Sequence, residues 1–285
     1  MIGRDDDATR PSTDPDLAGW LAFALTCCDE ADQLAMAHFR RDLDIEAKPD
    51  RTFVTEADRA IERAIRDRIV ATYPDHGLVG EEHGTAAGAG RVRWYIDPID
   101  GTHNFMRGVP LFGTLLAVER DGEIVVGVIS APAIGARWYA SRGAGAWAVD
   151  ALGPVAGTAR RIGVSKVADL ADAQVVYASP LDIAASGEAP GFDALIRSVW
   201  RDRGFGDFWG YALVAEGAAE IMVEVGPHSW DLAAPSIVVE EAGGTFTDIH
   251  GVRSIHSGHA LATNGRSHDE VVTRLRQARS VDAPD

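Results

Sequence analysis

The sequence has few cysteines, a minority of basic residues and no long apolar run, and each shortage excludes a class of protein. Its two cysteines, Cys27 and Cys28, are adjacent and lie in a helical pattern, so they cannot build a disulfide framework. No run approaches the roughly 18 uninterrupted apolar residues that a membrane span needs. The acidic N-terminus lacks the apolar stretch of a secretory signal. We therefore expect a cytoplasmic protein with no membrane partner.

The charge balance is strongly acidic. There are 27 Lys and Arg against 43 Asp and Glu, for a formal net charge of −16. This argues against nucleic acid as a partner, because a duplex binder needs a basic footprint. An anionic substrate would also be repelled by the average field of the protein, unless bound cations reverse the sign locally. Hydrophobic residues make up 46% of the chain, which is enough for a sizeable core.

The first half of the chain is predicted to form two helices followed by antiparallel strands. Residues 1–14 are polar and predict a mobile tail. Apolar residues at helical spacing predict a helix over 17–39, and a second helix begins after Thr55, a good N-cap. The predicted strands cover residues 94–96, 112–119 and 124–130, and residues 139–148 predict a further pair of strands. The first of them ends at Asp97-Pro98, since proline cannot donate to a β-ladder.

Two turn signals organise the rest of the chain. Asp121-Gly122 is a strong hairpin signal between two predicted strands. After the stretch GPVAG at 153–157 the pattern changes to alternating strands and helices. The predicted strands there are 174–178, 221–225, a short one at Phe246 and 260–263, and the predicted helices are 192–199, 211–219, 231–242 and 268–279. The sum is an α/β layered protein with a mostly antiparallel first half and a βαβ-like second half.

The most informative segment is DPIDGT at residues 97–102. A strand delivers Asp97 to its end, Pro98 forces a turn, and Asp100 follows closely enough for both carboxylates to face one point. Gly101 permits close backbone approach, and Thr102 offers a hydroxyl at a helix start. Clustered oxygens of this kind suit Mg²⁺. The alternative is that Asp97 and Asp100 are ordinary turn and N-cap residues.

Acids in three other segments point to the same chemistry. Glu81, in GEEHG at 80–84, follows a predicted strand, and Asp231 opens a helix whose dipole favours phosphate oxygens. Asp58 lies three residues after Thr55. Each also has a plain structural interpretation: Glu81 on a solvated loop, Asp231 as an N-cap, and Asp58 as part of a capping box.

Taken together, these segments resemble the inositol monophosphatase-like family of metal-dependent phosphatases, whose segments run G-E-E, D-P-[IL]-D-G-T and W-D. The resemblance extends from about Leu17 to Leu275, in order and with suitable spacing. It implies an α-β-α-β-α layered fold like that of inositol monophosphatase and fructose bisphosphatase. Residues 15–152 would form a metal-binding α+β subdomain, and residues 153–285 an α/β subdomain that completes the active site.

The resemblance also implies which residues hold metal. Glu81, Asp97 and the carbonyl of Ile99 would hold one Mg²⁺ ion, and Asp97, Asp100 and Asp231 a second. A third, looser ion would lie near Glu81, and Mn²⁺ could replace Mg²⁺. Asp58 and Thr102, with Glu81 beside them, would orient and deprotonate the attacking water, so that no phosphoenzyme forms.

Substrate choice is predicted from the segment RGFGDFWGY at 203–211, which resembles the histidinol-phosphate phosphatase branch of the family. Gly101 and Thr102 would lie near the phosphate, and Arg203, Asp207 and Glu224 near the leaving group. Asp207 stands where inositol phosphatases commonly carry a small neutral residue, and a carboxylate there would attract a cationic amine. The alternative for Asp207 is a helix cap that contacts no substrate.

These observations predict a phosphatase that acts on L-histidinol phosphate, a small-molecule phosphate monoester of histidine biosynthesis. Two alternatives stay open: inositol-1-phosphate hydrolysis by the same residues, and a catalytically idle metal-binding scaffold. The family resemblance also suggests a homodimer. His103 follows Thr102 where relatives often have Lys or Thr, which predicts a pH-sensitive contact near the phosphate.

Overall fold

A computed structural model of the protein describes residues 14–41, 45–47, 53–151 and 156–277. The helices are α1 (Pro15–His38), α2 (Glu56–Thr72), α3 (Thr102–Met106), α4 (Pro180–Ala185), α5 (Ala189–Ile196), α6 (Asp207–Ala215), α7 (Ser229–Glu241) and α8 (His268–Gln277). The strands of the first half are β1 (Ile45–Ala47), β2 (Phe53–Thr55), β3 (Gly77–Gly80), β4 (Gly84–Ala86), β5 (Val92–Asp100), β6 (Gly113–Arg120), β7 (Glu123–Ala131), β8 (Ala136–Ser141) and β9 (Gly145–Asp150). The remaining strands are β10 (Arg160–Arg161), β11 (Gln174–Tyr177), β12 (Arg201–Arg203), β13 (Ile221–Val225), β14 (Thr245–Thr247) and β15 (His259–Thr263).

Two large sheets carry most of these strands. The first has eight strands in the order β10-β9-β8-β7-β6-β5-β3-β4, and all neighbours run antiparallel except β3 and β5. The second has five strands in the order β12-β11-β13-β15-β14, with β11 parallel to both its neighbours. A small antiparallel pair joins β1 and β2. The predicted change from antiparallel to βαβ-like organisation is confirmed.

The sheets and helices form the predicted α-β-α-β-α layers. Side chains alternate across β5, so that Trp94 and Ile96 pack with α1 and α2 on one face while Tyr95 packs with α6 and α7 on the other. The second sheet covers the far side of α6 and α7 through Met222 and its neighbours. Its outer face packs on α5 and α8. The central core therefore draws residues from both halves of the chain.

Local sequence signals explain several of the boundaries. Thr55 and Asp58 form the predicted capping box at the start of α2. Asp121 and Gly122 adopt positive φ angles of 57° and 83°, as the tight turn between β6 and β7 requires. Asp14, expected in the tail, is instead the N-cap of α1 and accepts a hydrogen bond from Arg120.

Two expectations about elements were wrong, and one strand was not foreseen. The strand at residue 94 does not end at Asp97 but continues as β5 to Asp100, because a β-bulge accommodates Pro98. Helix α6 begins at Asp207 and not at Tyr211. The edge strand β12 was not expected at all, since its sequence RDR is polar. The rest of the expected tail and the 152/153 subdomain boundary lie outside the described residues, and the division into subdomains stays a prediction. None of the described helices is long and apolar enough to cross a membrane.

Candidate active site

A cavity of about 880 Å³ opens where the two sheets approach α6 and α7. One wall comes from the loop after β3, the end of β5 and the start of α3. The rest of the lining comes from the start of α4, the loop that leads into α6, and the segment between β13 and α7. The motifs singled out in the sequence therefore meet at one place, although they lie far apart along the chain.

Three carboxylates form the centre of this cavity. Asp97, Asp100 and Asp231 each offer one oxygen, and these three oxygens lie within 4.8 Å of one another. Burial raises the pKa of Asp97 well above its usual range, and the charges of Glu81 and Asp100 raise it further. The Oδ1 atom of Asp97 is buried and has no hydrogen-bond partner among the described residues. A cluster of hard oxygen donors that repel one another, one of them unsatisfied, fits a divalent cation such as Mg²⁺.

The bulge in β5 brings Asp97 and Asp100 to the same side. The ladder with β6 pairs Asp97 with Leu115 and resumes only at Asp100 and Gly113. Pro98, which has no backbone N–H, therefore lies where the ladder makes no hydrogen bond. The hydroxyl of Thr114 donates to the Pro98 carbonyl at 2.8 Å and holds the bulge in place.

Backbone N–H groups fix the orientation of two of these carboxylates. Phe208 N, in the first turn of α6, donates to Asp100 Oδ2 at 2.6 Å. His228 N donates to Asp231 Oδ2 at 2.7 Å, because Asp231 occupies the third position of α7 and His228 is its N-cap. Each aspartate keeps a second oxygen that these bonds do not use.

The loop that carries Glu81 is held by a residue that the sequence analysis did not single out, Glu62. The side chain of Glu62 is fully buried and accepts from Glu82 N at 2.6 Å and from His83 N at 3.1 Å. Arg66 pairs with the same carboxylate at 2.8 Å. The sequence signal was available, since Glu62 lies one helical turn after Asp58 on the buried face of α2. Glu62 therefore holds the loop that carries Glu81.

Asp58 and Thr102 occupy different positions relative to the cavity. Asp58 is fully buried and does not line it; one oxygen accepts from Thr55 N at 2.8 Å and Thr55 Oγ1 at 2.5 Å. Its other oxygen, Oδ1, is buried without a partner among the described residues. Burial raises the pKa of Asp58 to about 6. Thr102 lines the cavity, and its hydroxyl donates to the Ile99 carbonyl at 2.9 Å. Their catalytic roles stay predictions.

Asp207 and Glu224 line the cavity near Asp100: burial raises the pKa of Asp100, and the charges of Asp207, Asp231 and Glu224 raise it further. Asp207 does not cap α6, since the N-cap is Gly206 and makes no side-chain cap. Its Oδ2 lies 3.5 Å from Asn104 Nδ2, and its backbone has a φ of 54°, a conformation that costs energy for a non-glycine residue. Burial raises its pKa, the charge of Asp231 raises it further, and His103 lowers it.

Glu224 is buried, lines the cavity, and accepts a hydrogen bond from the Tyr211 hydroxyl at 2.5 Å. Burial raises its pKa to about 8, with a further contribution from Asp207. Gly101, also predicted to contact substrate, lines the cavity with a φ of 79°. Arg203 does not line it: this exposed residue of β12 donates to the carbonyl of Asp202.

Sequence reasoning missed several residues of the outer cavity. Ser179 and Asp182 contribute from α4 and its N-cap. Phe205, on the loop before α6, belongs to the segment 203–211 from which substrate choice was predicted. His228 and Trp230 stack with ring centroids 4.7 Å apart at the opposite rim. Ser179, Asp182 and His228 carry no motif of their own, so only their spatial position reveals them, whereas Trp230 is the tryptophan of the W-D segment.

Comparisons with known proteins agree with this geometry. The model of the inositol monophosphatase family matches residues 16–280. The chain is 47% identical over 257 residues to a histidinol-phosphatase of Mycobacterium tuberculosis, covering 90% of this chain and 97% of that one. It is 45% identical over 268 residues to a histidinol-phosphatase of Streptomyces coelicolor, covering 92% and 99%.

The fold has close counterparts among solved structures. An IMPase of Thermotoga maritima superposes with a TM-score of 0.80 at 32% identity, over 92% of this chain and 98% of that one. The suhB protein of Bartonella henselae superposes with a TM-score of 0.82 at 27% identity, over 91% and 99%. The carboxylate cluster, the layered fold and these relatives lead to one assignment: the chain belongs to the inositol monophosphatase family of metal-dependent phosphatases.

Proposed function

We propose that this phosphatase hydrolyses L-histidinol phosphate to L-histidinol and phosphate, a step of histidine biosynthesis, with Mg²⁺ as its cofactor. One observation carries the choice of substrate: the carboxylate of Asp207 lines the cavity near Asp100, and His103 is the basic residue whose charge lowers its pKa, against the raising effects of burial and Asp231. The residues that line this cavity include acids and two histidines but no Lys or Arg. The relatives named histidinol-phosphatase, at 45% and 47% identity, support the same choice.

Two to three Mg²⁺ ions, or Mn²⁺ in their place, would be held by Glu81, Asp97, the Ile99 carbonyl, Asp100 and Asp231. When bound, they would neutralise the phosphate oxygens and lower the pKa of the attacking water. The carboxylates of the cluster support this assignment: burial raises the pKa of both Asp97 and Asp100, and the charges of the neighbouring acids raise it further.

Asp58 and Thr102 handle the attacking water in this proposal. Asp58 does not line the cavity but keeps one oxygen, Oδ1, without a partner among the described residues, and Thr102 lines the cavity with its hydroxyl bonded to the Ile99 carbonyl. Water then attacks phosphorus and loses a proton to Asp58, the bond from phosphorus to the ester oxygen breaks, and that oxygen takes a proton from a second water molecule and leaves as the alcohol of histidinol. With a pKa of about 6, Asp58 is largely ionised at neutral pH, as a proton acceptor must be.

The leaving group brings positive charge to an acidic wall. Histidinol phosphate carries an ammonium group on the carbon next to its ester carbon, and Asp207 and Glu224 would face it. A hydrogen bond between a carboxylate and a charged partner contributes about 1.5–3 kcal/mol. An uncharged polyol gains nothing comparable from these two residues.

The test is kcat/KM for histidinol phosphate and for inositol 1-phosphate in the wild type and in Asp207→Asn. We expect a loss of roughly tenfold to hundredfold on histidinol phosphate alone. Asp193→Asn, an exposed substitution on α5 with the same change in net charge, should match the wild type. Equal losses on the two esters would show that Asp207 only supports α6.

Inositol-1-phosphate hydrolysis is the second candidate, favoured by the structural likeness to the Thermotoga IMPase. A wild-type preference for inositol 1-phosphate would establish it. A protein that releases no phosphate from any ester would instead be an idle metal-binding scaffold.

We also propose that the enzyme is a cytoplasmic homodimer, on the strength of family resemblance. Light scattering of the purified chain gives its mass directly, and a mass near 30.4 kDa would exclude the dimer.

A further inference from the structure

Two residues at the outer end of the cavity have no part in the mechanism so far. Asp182, in α4, is exposed, lines the cavity and forms no side-chain hydrogen bond or ion pair with a described residue. Its charge nevertheless acts on Glu224: burial raises the pKa of Glu224, and the charge of Asp182 adds to that rise. Ser179 accepts a hydrogen bond from the N–H of Asp182 at 3.2 Å and so fixes the start of the helix.

Phe205 presents an aromatic ring to the same part of the cavity. The ring packs against Trp209, with centroids 4.9 Å apart, yet Phe205 remains 37% exposed. An apolar ring that is held in place and left open to a cavity offers a contact surface for a ligand.

The backbone fixes Phe205 near α4. Gly206 N donates to the Tyr177 carbonyl at 2.9 Å, and a Cβ at Gly206 would lie 2.5 Å from the Cα of Ala178. This close approach holds the loop that carries Phe205 against the residues that lead into α4. Asp182 and Phe205 therefore lie on adjoining segments of the cavity lining, and Asp207, whose charge acts on Asp100, follows Gly206 directly.

A carboxylate beside an aromatic face is suited to a flat organic cation. The negative charge attracts the cation, and the ring face adds a cation–π contact when the two stack. In histidinol phosphate the ester carbon, the amine-bearing carbon, a methylene group and the imidazole ring follow in that order. If the phosphate lies at the carboxylate cluster and the amine at Asp207, the ring extends toward the outer end.

We propose that Asp182 and Phe205 form a subsite for a planar aromatic cation, which reads the imidazolium ring of the leaving group. This inference rests on the proposed function, because it takes the position of the phosphate from it. It assigns the two ends of the substrate to different residues, the amine to Asp207 and the ring to Asp182 and Phe205.

The test uses two esters that differ only in the ring. Histidinol phosphate is compared with 2-aminopropyl phosphate, which keeps the same ester and amine but has a methyl group in place of the ring-bearing arm. The enzymes are the Mg²⁺-loaded wild type, Asp182→Asn, Phe205→Leu and the charge control Asp193→Asn. We expect Asp182→Asn and Phe205→Leu each to lower kcat/KM for histidinol phosphate by roughly threefold to thirtyfold, mainly through KM. Activity on 2-aminopropyl phosphate should stay within twofold of the wild type.

A second readout does not depend on turnover. L-Histidinol should inhibit the wild type more strongly than 2-aminopropanol does, and Asp182→Asn should remove most of that difference. The inference is overturned if the two variants lose equally on both esters, or if they leave histidinol phosphate unaffected. A wild type that hydrolyses neither amine ester would refute the proposed function itself, which is a separate outcome.

Discussion

Glu62 supports the site without belonging to any motif. It is buried on α2 and accepts the N–H groups of Glu82 and His83, so it determines the path of the loop that carries Glu81. Gly80 is packed against it so closely that a Cβ there would lie 2.0 Å from Glu62 Oε1. A metal ligand on a loop is only as well placed as the residues that hold the loop.

Glu62→Gln should therefore weaken metal binding. The amide NH₂ of Gln would replace a carboxylate oxygen that accepts a hydrogen bond, so that two donors would face each other. Such a mismatch lowers the free energy of unfolding by about 1–3 kcal/mol. We expect lower stability in denaturant and a weaker Mg²⁺ affinity by calorimetry. Asp67→Asn, an exposed substitution on the same helix, is the control and should change neither. An unaltered Mg²⁺ affinity in Glu62→Gln would show that Glu81 does not depend on this support.

Glu224 predicts how the metal-free protein responds to pH. Its pKa is about 8 in the folded chain, raised chiefly by burial, against an ordinary value of 4.5. The folded state thus favours protonated Glu224. The contribution of this group to the free energy of unfolding is fully present below pH 4.5 and is lost as the pH rises through 8. In EDTA, the wild type should lose more stability between pH 5 and 8 than Glu224→Gln, by an amount on the order of a few kcal/mol. Denaturant unfolding at several pH values measures this, and parallel pH profiles would contradict it.

The bulge at the end of β5 is the element on which the site depends. It keeps Asp97 and Asp100 in one strand while turning both toward the cavity, and it ends at Gly101, the left-handed N-cap of α3. A Cβ at Gly101 would lie 3.0 Å from the Leu111 carbonyl and 3.4 Å from Asp207 Oδ2. Neither the backbone angle nor the available space favours a side chain there.

Gly101→Ala should consequently lower activity far more than the backbone angle alone explains. Gly122→Ala, in the turn between β6 and β7, is the matched control, with a φ of 83° and no atom within 4 Å of the added Cβ. Both variants should lose about 1 kcal/mol from the left-handed angle. Only Gly101→Ala should also lower kcat/KM, by roughly tenfold or more, because its side chain would displace groups of the active site. Equal activity in the two variants would show that the α3 junction tolerates the side chain.

The sequence predicted those parts of the site that depend on neighbouring residues. Asp97 and Asp100 were found because a strand signal and a proline lie beside them, and the α2 capping box followed from the spacing of Thr55 and Asp58. The path of β5 through Pro98 was not predicted, because a bulge depends on the register of the partner strand β6.

Contacts between distant segments could not be predicted from one sequence either. Asp182 and Phe205 share a cavity only because Gly206 packs against Ala178, and nothing in either segment marks that approach. Arg203 shows the converse error, since proximity to the motif suggested a substrate contact that the β12 edge position does not supply.

At the scale of the whole molecule, the carboxylates converge from different layers. Asp97 and Asp100 come from the first sheet, Asp231 from α7 and Glu224 from the second sheet. In a chain with a net charge of −16, this convergence opposes folding unless cations are present. A bound divalent ion would attract the layers to one point and stabilise the native state by mass action.

Mg²⁺ should therefore raise the melting temperature of the wild type above its value in EDTA. Asp231→Asn should remove most of this increase, and its own melting temperature in EDTA should be higher than that of the wild type, because one repelling charge is gone. Asp193→Asn should behave as the wild type in both conditions. Melting curves that do not change from EDTA to millimolar Mg²⁺ would argue against a preformed metal site.

The central claim is that the carboxylate cluster of Asp97, Asp100 and Asp231 carries metal-dependent hydrolysis of a phosphate monoester. The most direct measurement is phosphate release from histidinol phosphate by the wild type and Asp100→Asn, first in EDTA and then across a Mg²⁺ titration. We predict no release in EDTA, recovery of the wild type with Mg²⁺, and a loss of several orders of magnitude in Asp100→Asn even at saturating Mg²⁺. Turnover that persists in EDTA, or near-normal turnover in Asp100→Asn, would contradict the account.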